Sequence, residues 1–525
     1  MASAKSQQPK QLNKNSIMLV MVLGAFVAIL NQTLLNVAIP QLMADFSVSA
    51  DTVQWLSTAY MLTNGVLIPV TPFLIDRIST RKLFITAMVL FTVGSFICSL
   101  ATNFSILLIG RIVQAFGAGV LMPLMMTVIL VIYPPEVRGR AMGTIAIAMF
   151  FAPAVGPTLS GWIIEHWTWR ILFYVGMPIA IADIVLAMTL MPNIMERKDR
   201  DLDVLGFITS TIGFGMLLYG FSEAGSKGWG DVAVVLPIII GIIFIILFAV
   251  REVTADEPMM DLSVFKYSIF TIATLVSCVV NMALFGAMIL VPIYLQNIRG
   301  FTPLESGLLL LPGAIIMAIM SPISGALFDR VGVRPLAVIG LIITALTTWN
   351  FSKLSMDTTY GHIMLLYTFR MFGMSFISMT IMTAGLNQLP RYLASHGTAA
   401  ANTARQIAAS LGTAYLVSVM SNRSTFHLAN YTEHISASNP FVYQFLQGLG
   451  QMLSANLQQL PQVGQSLALN VLYGIMMQQS TIEGINDAFI VATILTVIAL
   501  VLSFFLRRVR AQSELRTAVP EQNKK

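Results

Sequence analysis

TPFLIDRISTRKLF, residues 71–84, sets one acid and three bases between two long apolar runs, and SGALFDRVGVRPLA at residues 324–337 repeats the arrangement. Asp76 and Asp329, 253 positions apart, each close an apolar segment and open a short loop of the form Leu-x-Asp-Arg. A second pair matches at nearly the same offset. Arg111 opens RIVQAFGAG and Arg370 opens RMFGMSF, 259 residues later, each inside an apolar run. Repetition at half-chain scale is a mark of transporters built from two bundles that rock about a midplane site.

Composition agrees. The 525 residues are 56% hydrophobic and 10% charged, with a mean hydropathy of +0.79; a soluble domain carries roughly 25% charge. This is the composition of a membrane protein. A spanning helix takes ~20 apolar residues, and cutting the chain at its polar and Pro/Gly-rich breaks predicts about fourteen. They fall near 16–39, 53–74, 82–101, 104–127, 138–162, 170–191, 204–222, 232–250, 267–296, 303–327, 334–351, 361–386, 398–420 and 487–506. The first apolar run follows Lys5, Lys10 and Lys14, is too long for a signal-peptide core and lacks a small-residue cleavage site, so it is expected to remain as a membrane helix.

Lys and Arg concentrate on the cytoplasmic side of membrane helices. With the N-terminus inside, 22 of the 30 Lys and Arg fall in cytoplasmic segments, 5 in outer ones and 3 within helices. Both termini are therefore expected to be cytoplasmic. The predicted fold is an all-α polytopic bundle: a six-helix bundle over residues 1–200, two inserted helices and a linker over 201–265, and a second six-helix bundle over 266–525. The last includes an outer stretch at 421–486, whose composition predicts a folded hairpin, and a cytoplasmic tail at 507–525.

The chain resembles the major facilitator superfamily and, within it, the fourteen-helix drug:proton antiporters of the EmrB/QacA type. The resemblance covers nearly the whole length. LIDRISTRK is similar to the family's loop between helices 2 and 3, usually Gly-x-Leu-Ala-Asp-Arg-x-Gly-Arg-Arg, and LIGRIVQAFGAG to its helix 4 motif. In helix 5, Gly143, Gly156, Pro157 and Gly161 fit the antiporter motif Gly-x8-Gly-x3-Gly-Pro-x2-Gly-Gly, and NTARQIAASLG resembles a helix 13 signature. Departures are informative. Pro72 and Ser79 replace the glycines of the first loop motif while Gly325 and Gly332 keep them in the second; Ala152 and Ser160 replace glycines of the antiporter motif. NQTLLNVAIP resembles the helix 1 pattern Asp-x-Thr-Ile-Val-Asn-Val-Ala-Leu-Pro, but its first position is Asn31, which carries no proton.

These residues define candidate sites. Asp76 with Arg77, Arg81 and Lys82, and Asp329 with Arg330 and Arg334, form either an ion-pair latch that differs between two bundle arrangements or plain positive-inside anchors. A charge in hydrocarbon costs at least ~2.5–3.5 kcal/mol unless paired or wetted, so Arg111 either faces the cavity and modulates a carboxylate or snorkels to the outer surface. Gln114 shares its face at i+3. Arg370 and Arg405 are weaker candidates of the same kind. Asp183, within PIAIADIVLAM, is the carboxylate placed deepest; it either exchanges a proton as the site changes sides or packs by hydrogen bonding. Glu223 and Glu305 stand behind it. The small residues of helix 5, with Pro153 and Pro157, read as a tight, bendable seam between the halves or as ordinary small-residue packing.

The expected activity is proton-coupled export of hydrophobic, cationic or amphiphilic toxic compounds from a bacterial cytoplasmic membrane. The 32 methionines suit a cavity of adaptable shape. An uptake carrier or a lipid or metabolite exporter on the same fold is the first alternative. A membrane enzyme or sensor is the second, although no nucleophile–base constellation supports catalysis. No Gly-x4-Gly-Lys-[Ser/Thr] sequence occurs, which argues against ATP as the energy source. His362, His396, His427 and His434 show no metal spacing, and Cys98 and Cys278 read as packing residues. No cofactor, metal or nucleic acid is expected; the partners are protons, small hydrophobic substrates and lipid, with the chain working as a monomer and an adaptor protein possible on its outer side.

Overall fold

The computed structural model describes residues 13–506 apart from 196–200, 202, 256, 435–439 and 458–460; the tail at 507–525, Lys5 and Lys10 lie outside the described residues. The longer helices are α1 (Lys14–Phe46), α2 (Ala50–Arg77), α3 (Thr80–Ser99), α4 (Phe104–Ile132), α5 (Arg138–His166), α6 (Ile171–Leu190), α7 (Val204–Lys227) and α8 (Val232–Thr254). They continue with α9 (Ser268–Ile293), α10 (Pro303–Val331), α11 (Val333–Phe351), α12 (Tyr360–Ser375), α13 (Ser378–Leu386), α14 (Ala394–His434), α15 (Pro440–Leu457) and α16 (Pro461–Ser503). Starts are set by polar caps that satisfy otherwise orphaned N–H groups. Ser49 accepts from Thr52, Asn103 from Ile106, Asp203 from Gly206 and Asp231 from Ala233. Thr302 and Glu305 close a reciprocal capping box on α10.

Thirteen helical stretches among the described residues are long and apolar enough to cross a membrane. The predicted span at 398–420, within α14, is not among them, because NTARQ and SLGT dilute its hydropathy. It packs among α2, α4, α7, α9 and α16, so most of its surface meets protein and need not be apolar. The predicted span 361–386 is two helices. After Ser375 the chain tightens to i→i+3 bonds, Phe376 N–H to Gly373 and Ile377 N–H to Met374, before α13 begins.

The helices α1–α6 form one half and α9–α16 the other, with α7 lying against both α2 and α14 and α8 packed on α7. At the end where α1 begins, one apolar cluster crosses between halves, joining Ile17, Phe84, Leu124 and Ile145 to Met379, Leu386 and Ala400. At the far end the cores are separate, Leu30, Leu42, Trp169 and Phe173 in one half and Val291, Leu309 and Phe489 in the other. The halves thus share apolar core at one end, the sealed end; at the other they meet along α5 and α10, where a Cβ on Gly307 would lie 2.3 Å from Thr158 Oγ1. α14 and α16, of 41 and 43 residues, reach ~60 Å at 1.5 Å per residue, twice the ~30 Å hydrocarbon layer. Together with α15 they carry the 421–486 stretch beyond the bundle as helix over its described parts.

Candidate functional site

Arg111 is fully enclosed, 0% exposed, among α1, α2, α3 and α4. Its Nη1 donates to Asn31 Oδ1 at 3.1 Å and to Gln114 Oε1 at 2.7 Å. Gln114 Nε2 in turn donates to Asn31 Oδ1 at 2.8 Å and Ser95 Oγ at 2.7 Å, and the Tyr60 ring lies 4.3 Å beneath the guanidinium. This centre can form because α3 and α4 approach closely: a Cβ on Gly94 would lie 2.4 Å from the Gln114 nitrogen. Gln114 is where the i+3 spacing put it. Tyr60 and Ser95 were not legible, since periodicity names a face and not the helix that meets it. Arg111 does not snorkel to the surface; among the described residues no carboxylate pairs with it, and its Nε and Nη2 have no hydrogen-bond partner. Asn31, standing where the family pattern has an acid, supplies acceptance without charge.

Arg370 occupies the corresponding place in the second half, 1% exposed. Its Nε donates to Thr348 Oγ1 at 3.3 Å and its Nη2 to the Ala283 carbonyl at 3.3 Å, while Nη1 has no partner among the described residues. Arg405, on α14, donates to Asn402 Oδ1 and leaves its Nε unpartnered.

Asp183 is 0% exposed, with neither carboxylate oxygen bonded among the described residues. A Cβ on Gly24 of α1 would sit 2.8 Å from Asp183 Oδ2 and 2.9 Å from the Phe84 ring, which places the carboxyl between α1 and α3. Gly24 and Asn31 are seven residues apart on one helix, ~10 Å along its axis. The structure therefore does not bring Asp183 and Arg111 together: Asp183 lies toward the sealed end and Arg111 toward the other. Glu223 bonds Lys227 at 2.7 Å, and Glu305 serves the α10 capping box.

The two loop motifs fall at the sealed end and behave differently. Asp329 reaches across the halves: its Oδ1 accepts from Gly139 N–H at 2.9 Å and its Oδ2 from Arg140 N–H at 3.1 Å, so the carboxylate caps the first turn of α5. Asp76 is buried, and Arg81 donates to the Met188 carbonyl of α6 within its own half. Arg77 lies 5.8 Å from the Phe73 ring and Arg334 5.7 Å from the Phe504 ring; Arg330 ends α10 in its last turn. Arg138 adds a cross-half bond from Nη1 to Asn387 Oδ1 at 2.9 Å while its other nitrogens hold the Leu130 and Tyr133 carbonyls at the end of α4.

α5 and α10 form the seam. A Cβ on Gly143 would lie 2.4 Å from the Ser321 carbonyl, and one on Gly325 2.0 Å from the Gly139 carbonyl, so only glycine lets these backbones meet. Gly161 faces Leu304 of α10, whereas Gly156 faces Thr33 of α1 in its own half. Pro153 and Pro157 lie inside an unbroken α5. Gly139 was not singled out by the sequence, although Gly325 belonged to the repeated loop motif.

This arrangement of two helical halves matches a known family. The Major Facilitator Superfamily pattern covers residues 21–413. The chain belongs to that superfamily. It is 51% identical over 97% of its length to the uncharacterized MFS-type transporter YhcA of Bacillus subtilis, covering 96% of that protein. It is 38% identical to the lincomycin resistance protein LmrB of Bacillus subtilis, covering 97% of this chain and 98% of that one. With the multidrug export protein EmrB of Escherichia coli it shares 29% identity over 85% of this chain and 88% of the relative. Among solved structures, the human organic anion transporter MFSD10 aligns with a TM-score of 0.62 at 12% identity, covering 94% of this chain and all of that one. The proton:xylose symporter XylE aligns at 0.59 and 15%, covering 95% and 96%. The protein is a multi-pass membrane transporter.

Proposed function

We propose that the protein is a proton-coupled antiporter that exports hydrophobic, cationic or amphiphilic drugs across a bacterial cytoplasmic membrane by alternating access. The observation that carries the reading is the Asp329 carboxylate on the first turn of α5, a contact between halves that can be broken without unfolding either one. Carboxylates are favoured at helix N-termini by the unpaired N–H groups and the macrodipole. The bond therefore stabilises one arrangement of the halves and is absent when that end opens. The excess of Lys and Arg supports a cytoplasmic position for the sealed end and both termini, in which case this is the arrangement that would release substrate outward. Residues 1–200 and 266–525 would rock as the two bundles, with 201–265 inserted between them and one chain sufficient for transport. Relatives named for lincomycin resistance and multidrug export support the class of cargo.

Asp183 supplies the proton. Beside Gly24, Phe84 and Met88 an ionised carboxylate would have neither hydrogen bond nor counter-charge among the described residues, a cost of several kcal/mol. This arrangement therefore holds it protonated, and the proton leaves when the inner end opens to water. The driving force is ~2.3 kcal/mol per charge per 100 mV. Asp183→Asn keeps the size of the group and removes its titration. In reconstituted vesicles it should abolish lincomycin- or dye-induced proton movement and uphill export while leaving measurable binding of the same compounds. Wild-type proton release per substrate in Asp183→Asn would exclude Asp183 as the carrier.

A further inference from the structure

Where α14 and α16 leave the far end of the bundle, five side chains join them in a ladder. Arg423 Nε lies 2.5 Å from Asp487 Oδ2; His427 Nε2 lies 2.9 Å from the same oxygen. His427 Nδ1 lies 3.0 Å from Glu483 Oε2, and the Tyr431 hydroxyl donates to Glu483 Oε1. Arg423, His427 and Tyr431 are spaced by four on one helix, Glu483 and Asp487 by four on the other, so each helix presents one row. The base of the ladder is fixed. A Cβ on Gly484 would lie 2.1 Å from Ser424 Oγ, and Asn486 exchanges two hydrogen bonds, 3.2 and 2.9 Å, with the Leu354 backbone in the α11–α12 loop.

Both imidazole nitrogens face carboxylate oxygens. Only imidazolium can donate from both; neutral imidazole presents a lone pair at one of them. Protonated His427 and Arg423 balance Glu483 and Asp487, whereas loss of the ring proton leaves two carboxylates to one cation. We propose that this ladder is a proton-dependent clamp, closed while His427 holds both ring protons, which fixes the α14–α15–α16 hairpin at the mouth of the transporter. His427 is 19% exposed at the side chain, so bulk pH reaches it. The clamp closes when the ring takes up its second proton and loosens when that proton is lost. Burial and the bond to Glu483 push the Tyr431 phenol up, so it stays neutral there. Of the neighbouring elements, α9 and α15 carry no charged side chain, α7 brings the Glu223–Lys227 pair to this end, where its Gly225 faces Val417 of α14, and the α11–α12 loop contributes Lys353 and Asp357 beside the Leu354 anchor; Arg299 bonds the Thr358 carbonyl of that loop at 2.5 Å.

The test is hydrogen–deuterium exchange of the full chain in lipid nanodiscs at pH 5.5 and pH 8, corrected for intrinsic exchange. Amides at 421–434 and 475–487 should exchange at least ~5-fold faster at pH 8 in the wild type, and His427→Gln should show no such step. Absence of the step in the wild type, or its persistence in His427→Gln, overturns the clamp. Should His427→Gln fail to insert, Glu483→Gln must shrink the step; an unchanged step overturns it equally. Ring 15N spectra at pH 5.5 should show two protonated nitrogens on His427, and a bare nitrogen there refutes the proposal without any variant.

Discussion

Each half of the molecule buries one arginine at a matching position, and the two are satisfied in different ways. Arg111 stands in a cluster in which Asn31, Gln114, Ser95 and Tyr60 from four helices bond or stack, although only its Nη1 donates; its Nε and Nη2 have no partner among the described residues. Arg370 meets fewer polar side chains: it makes two 3.3 Å bonds, to Thr348 and the Ala283 carbonyl, and its Nη1 has no partner among the described residues. Within one repeated fold, the first half has a dense polar centre and the second a sparse one. Burying a charge is tolerated only where its surroundings compensate it. The first centre ties α1, α3 and α4 together through side-chain hydrogen bonds with Tyr60 of α2 stacked on it, whereas the second ties α12 to α11 and α9 by one bond each.

The largest effect should follow from breaking the dense centre. Arg111→Met removes the cation and leaves Asn31, Gln114 and Ser95 competing for fewer partners in an enclosed site. Transport should fall about 100-fold, the factor that roughly 3 kcal/mol of lost charged hydrogen bonding makes, with insertion retained. Initial export rates in vesicles, normalised to inserted protein, measure it. A loss of less than threefold would mean that the polar cluster is dispensable and that the two arginines are alike after all.

A smaller effect should follow at the sealed end, where the two loop motifs also differ in use. Asp329 bonds across the halves while Arg81 of the first loop turns back on its own half. Asp329→Asn keeps one acceptor but loses the charge that favours a helix N-terminus. A shift of ~1 kcal/mol changes the ratio of closed to open forms at this end about fivefold. Spin-label distances between the start of α5 and the end of α10 should show the open population growing. An unchanged distribution would reduce the bond to an incidental contact.

Much of this was legible in the sequence, and the boundary of legibility has a physical cause. The Asp76 and Asp329 loops stand out because charge between apolar runs marks a helix end, and Gln114 because three residues return a side chain to the same face. The 398–420 span follows from cutting the chain at its polar breaks; it lies in α14 as helix, but it is too polar to be among the thirteen apolar spans of the described residues. What stayed hidden were neighbours across helices. Spacing assigns a residue a depth and a face but not the facing helix, so it did not show that Asp183 meets Gly24 and Phe84 while Arg111 meets Asn31, seven residues further along α1. Likewise Gly143 and Gly156 belong to one motif on α5, yet one meets α10 of the other half and the other meets α1. The break between α12 and α13 falls inside an apolar run with no Pro at the junction, which gave no signal for it.

The smallest effect is expected at Arg370, and it sharpens the comparison most. Arg370→Met replaces a cation with few polar side chains around it by an apolar chain of similar reach among α9, α11, α12 and α16. Truncating a well-paired buried charge is strongly destabilising, but replacing a badly compensated one with a packed apolar group is often neutral. The lost bonds are both 3.3 Å long and end on Thr348 and Ala283. Thr348 retains other donors and acceptors within helical reach, and the Ala283 carbonyl is already part of the α9 ladder. Export should therefore change less than about threefold, within the ~0.6 kcal/mol that separates neutral from significant core replacements, and thermal stability in detergent should stay level or rise. If Arg370→Met instead loses transport as deeply as Arg111→Met at unchanged stability, Arg370 acts on the translocation cycle. The sparse centre would then be as functional as the dense one.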